Sequence, residues 1–318
     1  MLSVVIATRN GERTLPAVLD AYCHIIVPEG GWKLIVVDNA STDRSREIIT
    51  SYQDRLPLTY LYEGKPGKNA ALNTAISHFD GDLVLFTDDD IFPRPGWLVT
   101  MRAAADAHPS FSIFSGLIFP RWEIPAPDWI NEWVHLGAVF SVHRSGVTEG
   151  PTTPDYIYGA NMAIRSDVFR RGFRFDAFIG PRGANYAMGS ETEFVRRLVQ
   201  HGCTAWLVQK SEVEHFIRDY QMQKSWILGR AIRYGRGQYR LKHANHSIPP
   251  VLLFGAPRYL FRQLLEQAEK ILKCVLRFDK KAFFLARWEF NYYRGYIIEA
   301  RNLHKERSAL SSPTAVKV

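Results

Sequence analysis

The sequence predicts an α/β protein, a mostly parallel sheet flanked by helices and followed by a helical C-terminal extension. Three observations carry this expectation. Short, continuous β-branched runs alternate with helix-like stretches through the first 115 residues, the pattern of strands buried on both faces beneath helices. Polar residues gather directly after those runs, where open parallel sheets bind their ligands. Charge is divided unevenly, −5 over residues 1–216 and +13 over 217–318, so the two parts meet different surroundings.

The strands come in order, each with its polar end. Leu2–Ala7 runs into Thr8-Arg9-Asn10, Leu34–Val37 into Asp38-Asn39, Leu58–Tyr62 into Glu63-Gly64, and Leu83–Thr87 into Asp88-Asp89-Asp90. Ser112–Leu117 is a fifth strand. From about 116 to 160 the chain is rich in Trp, Pro and Gly without sustained period, which predicts long loops with short helices. After Asp219 the pattern turns helical: Leu264, Leu265, Ala268, Ile271, Leu272, Val275 and Leu276 keep a 3.6-residue period, with Lys270, Lys273 and Arg277 on other faces. Ser308–Val318 reads as a loose tail.

Composition excludes several classes. The 318 residues are 46% hydrophobic, 13% aromatic and 23% charged, which fits neither a disordered chain nor a membrane-embedded bundle. Cys23, Cys203 and Cys274 form neither a complete set of pairs nor a zinc-type cluster, and a reducing compartment is expected. The Val4–Ala7 run is too short for a signal-peptide core. Ile248–Phe261 falls short of the ~20 residues of a spanning helix and is broken by Pro249, Pro250, Pro257 and Arg258. The expected location is cytoplasmic, soluble or peripheral on the cytoplasmic face of a membrane.

The strongest chemical signal is the strand Leu83–Thr87 emerging into Asp88, Asp89 and Asp90. Three adjacent carboxylates concentrate charge that a hard divalent ion, Mn²⁺ or Mg²⁺, relieves, and such ions take one or two carboxylates together with substrate phosphates. A solvated acidic turn is the competing reading. Asp38 stands where a carboxylate can accept from a nucleobase N–H or a ribose hydroxyl, while Ser41 or Thr42 is expected to cap the following helix. Gly64-Lys65-Pro66-Gly67-Lys68-Asn69 is a glycine-rich basic turn opening a helix over Ala70–Phe79, suited to an anion at a helix N-terminus. It is not a Walker A loop.

In this order, Ser3–Asn10, Val36–Asp43, Gly67–Asn73 and Phe86–Pro93 resemble family 2 glycosyltransferases of the GT-A fold. So do Tyr158–Arg165, Gly172–Asp176 and Gly189–Phe194, and the resemblance covers roughly residues 2–217. It implies inverting transfer of a sugar from a nucleoside diphosphate sugar, with the metal bridging the Asp motif and the diphosphate. Carried over by position, Thr8, Asn10 and Asp89 lie at the nucleotide, Asp38 at the base, and Lys68 at the ribose or phosphate. Asp88 faces ribose or metal, and Asp90 binds the metal. Asn39 stands where many relatives are acidic, which leaves UDP, GDP and dTDP open.

For the reaction, Glu191 is the candidate general base, since direct displacement needs one carboxylate to take the acceptor hydroxyl proton. Glu193 either lies by the sugars or closes a capping box with Ser190. Asn161 either contacts the donor or acceptor sugar or stabilises a turn, and His215 is either a metal ligand or a packing residue. The implied organisation is a nucleotide-sugar half over 1–115, an acceptor and catalytic half over 116–217, and a basic amphipathic helical extension over 218–318.

The extension has two readings. Its apolar stripe and basic excess suit an anionic membrane surface, and equally a packed helical cap or dimer interface. Arg230, Arg233, Tyr234, Arg236 and Arg240, with Gly229, Gly235 and Gly237, either close over a phosphate or form a solvated face. The expected acceptor is a glycan or lipid-linked sugar in cell-surface polysaccharide synthesis. A sugar nucleotidyltransferase is the alternative within the same chemistry, but a single glycine follows the first strand. A nucleic-acid binder is the alternative from another class, and no nucleic-acid partner is expected because recognition patterns are missing.

Overall fold

A computed structural model describes residues 1–144, 146–181, 186–243 and 251–310. The chain forms two compact units: one of Met1–Pro125, Leu136–Gly183 and Ser190–Arg218, the other of Ala126–His135, Ala184–Gly189 and Asp219–Val318.

The first unit begins with alternating strands and helices: β1 (Leu2–Thr8), α1 (Leu15–Tyr22), β2 (Trp32–Asp38), α2 (Ser45–Thr50), β3 (Leu58–Tyr62), α3 (Lys68–Ala75) and β4 (Leu83–Asp88). β3, β2, β1 and β4 lie side by side in parallel, and β1, β2 and β4 are almost wholly buried, as their unbroken apolar runs require. The register sets Thr8 opposite Asp38 and Ala7 opposite Asp88. All the polar strand ends therefore emerge along one edge.

Beyond β4 the sheet becomes mixed, a refinement of the mostly parallel expectation. β5 (Ile91–Pro93) starts at once after the aspartates, α4 (Trp97–Ala107) follows, and β6 (Ile113–Trp122) runs well past the expected end at Leu117. After α5 (Asp128–Trp133), in the second unit, and α6 (Leu136–Phe140) come β7 (Gly150–Thr152), β8 (Met162–Arg165), α7 (Ser166–Arg170), α8 (Ser190–Gln200) and β9 (Ala205–Ile217). β8 runs antiparallel to both β4 and β6, β6 and β9 are parallel, and β5 and β7 run antiparallel to β9. β8 is entered through the loop turn at Gly159–Asn161 rather than a helical crossover, so nothing imposes the parallel sense.

Two features of this region fix the positions of α8 and β9. Phe86 on β4, Phe169, Phe175 and Phe194 on α8 form a buried aromatic cluster, with Phe175 and Phe194 centroids 4.2 Å apart and Phe86 and Phe175 5.2 Å apart. It anchors α8 to the sheet. Between Gly116 and Leu117 the β6–β9 register slips, so that Val208 and Glu212 become successive partners and carbonyls at the slip lose their ladder bonds.

The second unit is helical: α9 (Lys224–His243), a small hairpin of β10 (Leu252–Leu253) and β11 (Ala256–Pro257), α10 (Arg258–Leu276) and α11 (Lys280–Leu310). Ser308–Leu310 therefore continue a helix instead of the expected tail, while residues 311–318, Ile248, Pro249 and Pro250 lie outside the described residues. Added Cβ atoms at Gly235 and Gly295 would strike the backbones of Tyr292 and Ile232, so these glycines let α9 and α11 pack at close range. Arg236 and Arg240 donate to a fully buried Glu299 at 2.8 and 2.6 Å. Neither of the readings offered for this basic run, a phosphate clamp or a solvated face, describes those two arginines. Among the described residues no helix is long and apolar enough to cross a membrane.

One buried histidine gives the first unit a pH signature. His143 Nδ1 accepts from the Ile118 N–H at 3.1 Å, which leaves the Nε2 proton to donate to the Tyr156 carbonyl at 3.0 Å. Burial holds its pKa below the usual 6.5. The unfolded chain takes up the proton first, so this contribution to stability is present above the unfolded value and is lost as pH falls below it. Between pH 7.5 and 5.5 the urea midpoint should fall more steeply for the native chain than for His143→Gln; equal slopes would exclude this role.

Candidate active site

Five elements of the sheet unit deliver polar side chains to one place. β1 and β4 end in Thr8 and Asp88, the β4–β5 turn supplies Asp89 and Asp90, α3 begins with Lys68, α8 carries Glu191 in its first turn, and β9 carries His215 two residues before its end at Ile217 and is followed by Arg218. Lys68 is the hub. Its Nζ donates to Asp88 Oδ1 at 2.6 Å and to Glu191 Oε1 at 2.7 Å, joining residues 20 and 123 positions away in sequence. The neighbouring residues repeat the connection, because the Ser190 hydroxyl donates to Asn69 Oδ1 at 2.9 Å. Asn69 Nδ2 also donates to the carbonyls of Asp176 and Ile179, and Asn73 pairs with both backbone groups of Phe175. The starts of α3 and α8 are thus fastened together through the loop between them.

Burial sets the protonation states, and each group departs from its ordinary value in a direction its partners explain. Burial opposes the charge of Lys68, yet Asp88 and Glu191 hold its pKa above the lysine value. Burial raises Asp88 more than Lys68 lowers it, with Asp90 and Glu191 adding to the rise. For Glu191 the balance reverses: burial is again the largest influence and raises the pKa, but Lys68, joined by a backbone N–H and by Ser190, holds the carboxyl below its usual range, ionised at neutral pH. Asp89, which accepts from the Thr8 hydroxyl, is pushed up to about 7 by burial and by Asp90. Asp90 is also penalised by burial, but His215 and Arg218 pull it down to about 2.

Four carboxylates, Asp88, Asp89, Asp90 and Glu191, thus share the place with Lys68, Arg218 and His215. Arg218 Nη1 stands 3.3 Å and His215 Nε2 3.6 Å from Asp90 Oδ2. His215 Nδ1 lies 2.6 Å from the Phe140 carbonyl, to which only a protonated Nδ1 can donate. Burial opposes the charge of His215, but Asp90 and the Phe140 carbonyl raise its pKa, so Nε2 faces Asp90 as a donor; with Nδ1 held by the carbonyl, loss of the Nε2 proton would free the lone pair that a metal-ligating histidine uses. Asp90 Oδ2 and His215 Nε2 are the atoms that would hold a divalent ion. Among the described residues no group of three or more His, Cys, Asp and Glu forms a metal site. Asp90 and His215 are oxygen and nitrogen donors of the kind a divalent ion takes together with water and phosphate oxygens.

Other predicted residues are committed elsewhere. Asn161 is fully buried; its Oδ1 accepts from Trp97 Nε1–H at 2.8 Å and its Nδ2 donates to the carbonyls of Leu117 and Ser211 at 3.0 and 2.9 Å. It pairs carbonyls freed by the β6–β9 slip, which corrects the sugar-contact reading. Glu193 pairs with Arg197 one turn along α8 at 2.7 Å, a partner that neither the sugar nor the capping-box reading names. Neither Ser41 nor Thr42 caps α2. Ser41 Oγ accepts from the Asn10 N–H, and Asp43 Oδ1 instead accepts from the Ser45 N–H at 3.0 Å.

The loop after β2 is similarly occupied. Asp38 Oδ1 accepts from the Ser41 N–H at 2.9 Å and Oδ2 from the Tyr60 hydroxyl at 3.1 Å, so the carboxylate shapes its own turn. Asn10, at φ 56°, accepts from the Thr42 N–H at 2.8 Å. Asn39 Nδ2 donates to the carbonyls of Glu63 and Lys65 at 3.1 and 2.7 Å, and its Oδ1 accepts from the Gly67 N–H at 2.7 Å. Only an amide supplies both donor and acceptor here. This is why an asparagine, not an acid, stands after Asp38.

Sequence reasoning missed Arg218 and Gly159. The rule that singled out residues after the first four strands applies equally to Arg218 after β9, but the strand's long, charge-bearing course hid its end. Gly159 is required because a Cβ there would overlap Glu191, a relation between distant segments with no local signature.

The family model described as Glycosyl transferase family 2 matches residues 3–172. Poly(ribitol-phosphate) beta-N-acetylglucosaminyltransferase TarS of Staphylococcus aureus is 29% identical over 110 residues, 34% of this chain and 19% of that protein. Pre-mycofactocin glycosyltransferase of Mycobacterium tuberculosis is 25% identical over 263 residues, 80% of this chain and 51% of that protein. The chain thus spans about half the length of these curated relatives or less. Among solved structures, mannosyltransferase PcManGT from Pyrobaculum calidifontis, in complex with GDP-Man and Mn²⁺, superposes with a TM-score of 0.57 at 19% identity, covering 98% of this chain and 80% of that one. At that identity the likeness concerns the fold.

The Asn39 geometry gives a direct test. Asn39→Asp replaces the donor to two carbonyls with a repelling oxygen, and should lower stability by about 1–3 kcal/mol in chemical denaturation. A change under ~0.5 kcal/mol would show that the loop does not depend on the amide.

Proposed function

Taking as premise that the chain belongs to glycosyl transferase family 2, we propose that it performs inverting, metal-assisted transfer of a sugar from a nucleoside diphosphate sugar to a hydroxyl of a glycan or lipid-linked acceptor, in cell-surface polysaccharide synthesis. The observation that carries the reading is the half-buried Lys68 ammonium bridging Asp88 and Glu191, which holds an ionised carboxylate beside the acidic strand end. Donor chemistry is supported by fold neighbours solved with UDP, UDP-GlcNAc and GDP-Man. No observation favours a sugar nucleotidyltransferase or a nucleic-acid binder.

In this mechanism Glu191 takes the proton of the acceptor hydroxyl as that oxygen bonds to the anomeric carbon. The bond from the anomeric carbon to the diphosphate oxygen breaks on the opposite face, and its electron pair leaves with the nucleotide. Attack and departure on opposite faces invert the centre. Lys68 keeps Glu191 ionised, and Gly159 leaves it room. Asp90 and His215 are the residues that would hold Mn²⁺ or Mg²⁺, which when bound supplies positive charge to the leaving diphosphate. Arg218, 3.3 Å from the same Asp90 oxygen that faces His215, offsets its charge, and Thr8 orients Asp89.

Two measurements test the assignment. Glu191→Gln should lower kcat by about 10²–10⁴ while leaving nucleotide affinity within about threefold; retention of a tenth or more of kcat would remove Glu191 as the base. In calorimetry with UDP, GDP, dTDP and CDP, one diphosphate should bind only with Mn²⁺ and lose that binding in Asp90→Asn. Metal-independent binding in both proteins would overturn the metal assignment.

A further inference from the structure

The apolar period of α10 is divided between two faces. Leu260 and Gln267 are buried and Leu264 packs on the core against α11, but Leu265, Leu272 and Leu276 are 71%, 60% and 71% exposed. At helical spacing these three fall in one line with Phe261. The line is extended at both ends by the most exposed aromatics of the unit: Phe254 at the hairpin tip, 77% exposed and 6.2 Å from Phe261 by ring centroid, and Phe278 after the helix, 91% exposed. From Phe261 to Leu276 the stripe is roughly 22 Å long at the helical rise. A soluble chain has no reason to leave such a row uncovered.

Exposed cations stand on both α10 and α11. On α11, Lys280, Arg287, Arg294 and Arg301 recur every seventh residue and all are exposed. Their register against the stripe is fixed at one end by Arg301, which donates to the Phe254 carbonyl at 3.0 Å and lies over the Phe261 ring at 5.9 Å. At the other end Lys280 follows Phe278 by two residues. Along the polar edge of α10 stand Arg258, Arg262, Lys273 and Arg277, of which Arg262 and Lys273 share their charge with Glu266 and Glu269. Residues 258–281 carry seven basic and three acidic groups, so a second copy of this face would meet like charge.

We infer that the exposed stripe of α10, with Phe254 and Phe278 at its ends and the α11 cation row beside it, docks in the interface of a lipid bilayer bearing anionic headgroups. The apolar side chains enter the boundary between headgroups and acyl chains while the flanking Lys and Arg remain among the phosphates. The helix lies in the plane of the surface. This inference does not depend on the transfer reaction, because every residue in it lies outside the candidate active site.

Flotation of the full chain with vesicles tests it. The native protein should float with phosphatidylcholine vesicles containing phosphatidylglycerol, much less with phosphatidylcholine alone, and should be released at high salt. Phe254→Ser with Phe278→Ser, and separately Arg287→Glu with Arg294→Glu, should each lower the bound fraction at least about tenfold. Nucleotide binding measured on the same preparations reports that each variant is folded and keeps this test separate from that of the transfer reaction. Native protein that stays unbound on anionic vesicles at low salt overturns the inference, as does undiminished flotation of both variants. A concentration-dependent dimer that Leu272→Glu dissociates, without flotation, would overturn it in favour of a second copy.

Discussion

The half-buried ammonium of Lys68 is the constraint around which the sheet unit is arranged. With the Lys68 side chain 17% exposed, its partly desolvated charge needs partners, and the fold brings Asp88 from the end of β4 and Glu191 from the start of α8 to within 2.7 Å of it. Neither carboxylate tolerates the other without the cation between them. The aromatic cluster of Phe86, Phe169, Phe175 and Phe194 supplies the packing that holds α8 at this distance. Chemistry and core thus converge on the same two elements.

Two buried asparagines perform the finer positioning. Asn39 ties the loop after β2 to the turn that opens α3, and Asn161 closes the irregularity between β6 and β9. Each uses its amide as both donor and acceptor, so an isosteric acid would leave carbonyls facing oxygens. Asn69 and Asn73 do the same for the loop before α8. Amides appear where backbone from separate segments must be held without adding charge beside an already acidic site.

The helical unit follows another logic. Glu299 is buried between Arg236 and Arg240, and glycines at 235 and 295 bring α9 and α11 close enough for that pairing to form. Part of the basic excess of the C-terminal third is therefore internal. The remainder lies on exposed faces of α10 and α11, beside an apolar row that packing left open.

The sequence by itself determined the first four strands, their parallel sense and the polar residues at their ends, because an unbroken β-branched run and the polar residue that follows it are both local facts. It also singled out Glu191, Asp90 and His215, through motif spacing. It could not decide Asn161 or Glu193, since a buried amide and a surface ion pair look alike until their partners are known. Arg218, Gly159 and the link from Lys68 to Glu191 depend on segments far apart in the chain, and the two faces of α10 share one periodic pattern. Those were settled by the tertiary structure, which alone says which polar atoms are desolvated together and which apolar ones are left in water.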